Sequence, residues 1–216
     1  MLTMEEKKMR AAEAVAILEE RYPDAECALH YDGDPWRLLV MARLSAQCKD
    51  ERVNIVCEDL FAHYPDARAM AEAPLSHIEA LIRPCGLHVS KAKSIKAFSE
   101  ILVNEYEGRV PDTMEELLAL PGVGRKIANL ILGDIYGIPG IVADTHCIRI
   151  SGRMGLVESD VPEKVEKALC QIVSPEKQTD FCHRLVMFGR EVCDAKKPRC
   201  EACPFSKWNC ILKKEK

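Results

Sequence analysis

The chain has 216 residues, 34 acidic and 30 basic side chains for a net charge of −4, 48% hydrophobic content and 11 cysteines. That length suits one or two domains with a real core, and that hydrophobic content excludes wholesale disorder. No apolar run approaches the ~20 residues that a membrane helix needs. The N-terminal stretch MLTMEEKKMRAAEAV is charged and lacks the apolar core and cleavage site of a secretory signal. A cytoplasmic, membrane-free protein with reduced thiols is therefore expected. The odd cysteine count means that the thiols cannot all pair. Taken at face value, the acidic balance argues against a nucleic-acid partner.

The hydrophobic periodicity is helical nearly throughout. Apolar residues recur at three-to-four spacing from Met4 to Glu20 and stop at Pro23. Asp34-Pro35 reads as an N-cap with proline at the first helical position, opening a helix through Leu44. A further amphipathic stretch runs from Glu51 to about Tyr64. Ser76-His-Ile-Glu79 has capping-box spacing and predicts a short helix ending at Pro84. Ser90 is read as the cap of a long helix to about Tyr106, stopped by Gly108 and Pro111. Thr113-Met-Glu-Glu116 and Asp160-Val-Pro-Glu163 are two more candidate capping boxes. A last long helix is expected from about Thr179 to Cys193. No stretch alternates cleanly enough for a strand and no Asn-Gly hairpin turn occurs. The expectation is an all-α fold of about ten helices.

Between two of these patterns lies Leu120-Pro-Gly-Val-Gly124. Pro121 cannot continue the preceding helix, and Gly122 and Gly124 permit positive φ and close backbone approach. The next helix begins at Arg125 and buries Ile127, Leu130 and Ile131. A glycine hairpin between helices leaves the first N–H groups of the second helix pointing outward, at the positive end of its dipole. Such a helix–hairpin–helix suits a phosphate and grips a nucleic-acid backbone without reading sequence. A purely structural αα-corner is the alternative for a bare Gly-X-Gly. The longer stretch Leu-Pro-Gly-Val-Gly-Arg-Lys is more specific.

Lys126 stands in the first turn of that helix, facing the positive dipole end beside Arg125. This placement favours the neutral amine that a Schiff-base-forming nucleophile needs. A surface lysine holding a phosphate as a point charge is the plainer reading. Asp144, in Val142-Ala-Asp-Thr-His-Cys-Ile-Arg149, sits where a helix would start and reads first as an N-cap. Facing an amine, the same carboxylate could accept a proton or stabilise positive charge developing on a sugar.

Cys193-x6-Cys200-x2-Cys203-x6-Cys210 packs four thiols into 18 residues. In a reduced compartment one soft-metal site explains that density better than disulfides do. Zinc sites usually use two close pairs, and only the middle pair is close here. A 4Fe–4S cluster tolerates wider spacing, so iron–sulfur leads and zinc remains the alternative. Pro204 after Cys203 excludes a haem attachment motif, and no βαβ pattern supports a thioredoxin-like pair. The other cysteines, at 27, 48, 57, 85, 147, 170 and 182, read as small buried hydrophobes.

Together these motifs resemble the endonuclease III family of helix–hairpin–helix DNA glycosylases. The resemblance rests on Leu120-Pro-Gly-Val-Gly-Arg-Lys-Ile-Ala-Asn129, Val142-Ala-Asp-Thr-His146 and the four-cysteine tail. It extends to Leu44-Ser-Ala-Gln-Cys-Lys-Asp50 and Cys85-Gly-Leu-His-Val-Ser-Lys91, so that nearly the whole chain is covered in order. It implies a base excision repair glycosylase with AP lyase activity on duplex DNA carrying oxidised pyrimidines or abasic sites, acting as a monomer. Lys126 falls on the family's Schiff-base lysine and Asp144 on its catalytic aspartate. Gln47 falls on the residue that fills the gap left by a flipped base, and Leu87 on one that wedges into the duplex. Ser45, Asp50 and His146 fall near the lesion pocket, and the hairpin Gly122-Val123-Gly124 on the phosphate grip. The implied fold is two helical domains flanking a DNA cleft. One is a six-helix barrel over residues 28–138; the other joins 1–27 to 139–216 and carries the cluster on Cys193, Cys200, Cys203 and Cys210. Two features depart from the family pattern. The last cysteine spacing is x6 where x5 is usual, one residue that a bulge absorbs, and His88 stands where tyrosine is common. A related mismatch (adenine) glycosylase, which normally lacks the lysine and has a further C-terminal domain, and a non-catalytic DNA-binding iron–sulfur module are the alternatives.

The charge balance then reads differently. From Gly189 onward the chain holds eight basic and four acidic residues, a net of +4 that leaves −8 for the rest. Lys196, Lys197 and Arg199 concentrate positive charge within the cysteine loop, and DNA responds to such a patch rather than to the whole-chain sum.

Overall fold

A computed structural model describes residues 2–208 and 210. The basic tail positions Lys213, Lys214 and Lys216 lie outside the described residues. Among the described residues there are eleven α-helices and three short 3-10 turns and no strand. The all-α expectation holds. No helix among the described residues is long and apolar enough to cross a membrane.

The chain divides into two compact units, one made of residues 27–137 and the other of 1–26 with 138–216. The continuous unit contains α2 (Pro35–Leu44), α3 (Asp50–His63), α4 (Ala67–Glu72), α5 (Leu75–Leu81), α6 (His88–Glu105), α7 (Met114–Ala119) and α8 (Arg125–Tyr136). Its core runs through Leu38, Leu39, Met41 and Leu44 of α2, Leu60 of α3, Phe98 of α6 and Ile131 of α8. In α2 the apolar residues are nearly consecutive, because other helices of this unit cover it on several sides: α3, α6 and α8 all pack against it. Deep in this core the indole N–H of Trp36 donates to the buried Ser99 Oγ at 3.2 Å.

The discontinuous unit contains α1 (Met4–Arg21), α9 (Thr145–Arg153), α10 (Pro162–Ile172) and α11 (Gln178–Glu191). Helix α11 is central, packing on both α1 and α9. Phe181, Leu185 and Phe188 of α11, Leu18 of α1 and Ile150 of α9 are all fully buried. Arg21 Nη2 and Tyr22 Oη both donate to the Glu191 carboxylate, at 2.7 and 2.5 Å, tying the end of α1 to the end of α11.

The helix starts test the capping expectations individually. Asp34 caps α2 as expected, its carboxylate accepting the Arg37 N–H at 3.0 Å with Pro35 following. Thr113 caps α7, but the Glu116 carboxylate takes the Thr113 hydroxyl rather than a backbone N–H, so the box is half formed. The other two candidate boxes are not caps. Helix α5 starts at Leu75 from Pro74, whose fixed φ enters the helix and leaves Ser76 inside the first turn. Helix α10 starts at Pro162 with Val161 as its N-cap, placing Asp160 one residue too early. Helix α6 also starts two residues before Ser90, because Gly86 and Leu87 reverse the chain with positive φ. A capping box that the sequence reading did not mark, Thr3 with Glu6, opens α1. Of the scattered cysteines, Cys57, Cys85, Cys147 and Cys182 are buried and Cys27 and Cys48 half-buried, but Cys170 is exposed.

Candidate functional site

In the continuous unit, three loops gather at one end of α2. The hairpin between α7 and α8 buries Leu120 and Val123 in the core. Gly122 has φ +79°, and a Cβ there would lie 2.6 Å from Ser94 Oγ and 2.7 Å from Arg43 Nε. Glycine is therefore required twice, by backbone conformation and by the close approach of α2 and α6. Val123 offers only its backbone outward. Gly124 is the N-cap of α8 and supplies no side-chain hydrogen bond to the first turn, whose N–H end carries the positive pole of the helix dipole. Arg125 and Lys126 follow, both exposed. Burial lowers the pKa of Arg43, and its Nε is a buried donor without a hydrogen-bond partner.

The second loop follows α2. Ser45 is its C-cap, with its hydroxyl donating back to the Met41 carbonyl at 3.0 Å. Gln47 is exposed and left-handed, at φ 55°. Asp50 opens α3, half-buried, near enough to Cys27 to help hold that thiol protonated. The third loop is Gly86-Leu87, where Leu87 is also left-handed, at φ 48°, and 55% exposed. A large apolar side chain held out in that conformation costs free energy that only surrounding structure can offset. Sequence reasoning missed the residue that supplies it: Lys91, fully buried, with Nζ donating to the carbonyls of Leu44 at 2.8 Å and Cys85 at 2.9 Å.

A cavity of about 560 Å³ lies at the opposite end of α2, lined by Asp34, Trp36, Tyr106, Arg109, Pro111 and Tyr136 among others. It is roughly the length of a ten-residue helix, ~15 Å, from the three loops. None of the candidate catalytic or binding residues lines it.

In the discontinuous unit, Asp144 is the N-cap of α9 and accepts the Cys147 N–H at 2.7 Å. One carboxylate oxygen is thus committed to the helix, and the residue remains half-buried rather than enclosed. His146 lies against α11: a Cβ on Gly189 would stand 2.3 Å from its Nδ1, and the Arg149 guanidinium is 3.1 Å from the same nitrogen. Lys126 and Asp144 belong to different units.

After α11 the chain forms the cysteine loop. Cys193 follows the helix, Cys200 opens a 3-10 turn and Cys203 closes it. All four cysteines of the tail, Cys210 included, line one small cavity with Val192, Pro198 and Phe205. The described residues hold no ready-formed group of three His, Cys, Asp or Glu side chains for a metal ion. The donor set nevertheless fits a thiolate-held group by its chemistry: four sulfurs facing one mostly apolar space, with N–H donors at hand. Arg153 Nη1 lies 3.4 Å from Cys193 Sγ, and burial pushes the Cys203 thiol up while the Phe205 N–H pulls it down. The loop is seated by Phe205, edge-on to Phe188 at 5.4 Å, and by Trp208, beneath the Arg10 guanidinium at 5.0 Å.

Two arginines of α9 hold the start of this loop, and sequence reasoning missed both. Arg149 donates to the Cys193 carbonyl at 3.2 Å, and Arg153 to the carbonyls of Asp194 at 2.7 Å and Ala195 at 2.9 Å. The Asp194 carboxylate accepts the N–H groups of Lys196 and Lys197, each at 2.8 Å, and the side chains of Lys196, Lys197 and Arg199 are exposed. The available signal was Arg149 and Arg153 at i, i+4, one face of a helix.

The fold and loops define a class first. Residues 40–175 match the model of the HhH-GPD superfamily of base excision DNA repair proteins. Endonuclease III of Synechocystis sp. is 44% identical over 204 residues, 94% of this chain and 93% of that protein. Endonuclease III of Escherichia coli is 36% identical over 196 residues, 91% and 92% of the two chains. A solved trapped endonuclease III–DNA covalent intermediate is 37% identical with a TM-score of 0.92, covering 100% of this chain and 99% of that one. The chain belongs to the endonuclease III family and is a base excision repair DNA glycosylase/AP lyase.

Proposed function

We propose that this enzyme excises oxidised pyrimidines from duplex DNA as a cytoplasmic monomer and cleaves the resulting abasic strand. Residues 28–138 serve as a barrel domain that grips and probes DNA; residues 1–27 and 139–216 serve as a second domain that carries the carboxylate and the cysteine loop. The target base must leave the stack, at a cost of a few kcal/mol. Gln47 and Leu87 fill the space it vacates, and Ser45, Asp50 and His146 lie near the extruded base. The hairpin Gly122-Val123-Gly124 holds the phosphate backbone through its N–H groups, and Lys196, Lys197 and Arg199 add a second backbone contact.

Lys126 Nζ attacks C1′ of the damaged nucleoside; the C1′–N bond breaks and its electron pair leaves with the base. Asp144 accepts the proton lost by the amine and stabilises the developing positive charge. The C1′–O4′ bond then opens, O4′ taking a proton, to leave an imine at C1′; the imine acidifies C2′, a proton is removed there, and the 3′ phosphate departs by β-elimination. The exposed Lys126 amine, one helical position behind the uncapped α8 start, is the observation that carries this reading.

Cys193, Cys200, Cys203 and Cys210 would hold a 4Fe–4S cluster, with zinc as the alternative. The group supplies a structural crosslink that keeps the basic loop in shape. Brown protein with broad visible absorption supports iron–sulfur; a colourless protein with stoichiometric zinc overturns it.

Borohydride reduction on a thymine-glycol duplex should trap a covalent adduct with the wild type and none with Lys126→Ala. An adduct that survives in Lys126→Ala overturns the lysine assignment. Excision rates on thymine glycol, dihydrouracil and ultraviolet-dimer duplexes would rank the lesions.

A further inference from the structure

We propose that Lys91 is a positioning residue that holds the two DNA-probing loops, those of Gln47 and Leu87, in one fixed register. The inference rests on the duplex-probing role given above to Gln47 and Leu87.

A lysine is seldom fully buried unless its ammonium has partners. This one reaches two carbonyls that belong to no common element. Leu44 is the last residue of α2, three before Gln47. Cys85 ends a 3-10 turn, two before Leu87. One ammonium therefore ties together the roots of both loops, at 2.8 and 2.9 Å. Each loop carries a left-handed non-glycine residue at its exposed tip, at φ 55° and 48°. Left-handed non-glycine residues persist only where the surroundings over-determine them.

The position of Lys91 on α6 explains how the tie is made. It lies one turn into the helix, and its backbone N–H donates to the Leu87 carbonyl at 3.0 Å. Lys91 thus fastens Leu87 through its main chain while its side chain fastens Cys85 and Leu44. The hairpin is joined to the same end, since Gly122 packs on Arg43 of α2 and Ser94 of α6. Nothing on this list is a catalytic group, and Lys91 itself, with no exposed surface, meets no substrate.

A side chain that only supports the core would act on all activities alike. A positioning residue acts through the loops it positions. The test compares wild type, Lys91→Met, Gln47→Ala and the double variant on a thymine-glycol duplex and on a single-stranded abasic oligonucleotide. The latter has no partner strand for the loops to probe. Lys91→Met should slow duplex excision by about 100-fold, the effect of a small misplacement, with a loss on the single strand at least about fivefold smaller. The double variant should be little slower than Lys91→Met alone, because residues acting through one another are not additive. Equal losses on both substrates, or losses that multiply in the double variant, would overturn the inference. Should Lys91→Met fail to fold, Lys91→Gln, which keeps a shorter donor, decides by the same comparison. Failure of the wild type to form any borohydride adduct would instead strike the functional reading itself.

Discussion

Arg153 of α9 touches Cys193 twice and the following residue once: its guanidinium lies 3.3 Å from the Cys193 carbonyl, 3.4 Å from the Cys193 sulfur and 2.7 Å from the carbonyl of Asp194. The first cysteine of the tail and the start of the basic loop are thereby fixed by one side chain. Arg153→Ala removes these bonds and should cost about 1–2 kcal/mol in stability. It should also lower the metal content of the purified protein and weaken duplex binding, read by metal analysis and fluorescence anisotropy. Unchanged metal content and affinity would show that the loop holds its shape without Arg153.

Gly122→Ala adds a methyl group where Ser94 and Arg43 already stand, on a backbone at φ +79°. The expected loss is about 2 kcal/mol, from strain at a left-handed position and the overlap together. Duplex binding should fall with it, since the hairpin can relieve the clash only by moving off α6. Thermal unfolding and a binding titration check both halves.

Asp144 has a structural and a proposed chemical role, and substitution separates them. Asparagine caps helices as well as aspartate does, so Asp144→Asn should leave the melting temperature nearly unchanged. Its excision rate should fall by about 100-fold or more, as expected for loss of a proton-transfer group. Asp144→Ala should lose the rate and also about 1 kcal/mol of stability. A fully active Asp144→Asn would leave the residue a cap and nothing more.

Burial pushes the Cys27 and Cys85 thiols up to about 12. The reactive species is the thiolate, so at pH 8 these two should resist iodoacetamide. Cys170 is exposed and should alkylate before either of them. Peptide mapping after brief labelling checks the order, and fast modification of Cys85 would mean that the Leu87 loop opens readily.

Much of the fold was legible because its signals are local. Asp34-Pro35, Asp144 and the glycine hairpin each specify a helix boundary within a few residues, and α2, α8 and α9 begin where those signals put them. The misread starts share one cause. Ser76, Ser90 and Asp160 have capping chemistry, but the backbone beside them sets the start: Pro74 and a left-handed turn at 86–87 begin α5 and α6 earlier, and Pro162 begins α10 one residue later. The candidate catalytic and metal residues were legible as motifs, since each motif lies within a short span. The supports were not. Lys91, Arg149 and Arg153 read as ordinary charged helix residues, and their partners are backbone carbonyls, which carry no sequence signal.

The amino-acid sequence by itself determined an all-helical chain, a glycine hairpin followed by a lysine, a capping aspartate and four clustered thiols, because propensity, capping and ligand spacing are local chemistry. Tertiary structure alone decided that one buried ammonium ties the Gln47 and Leu87 loops. It alone decided that Gly122 is pressed on Arg43 and Ser94, and that two arginines hold the backbone at the start of the cysteine loop. The hydrogen bonds among these contacts join residues up to 47 positions apart, and only packing of the intervening helices brings them within reach.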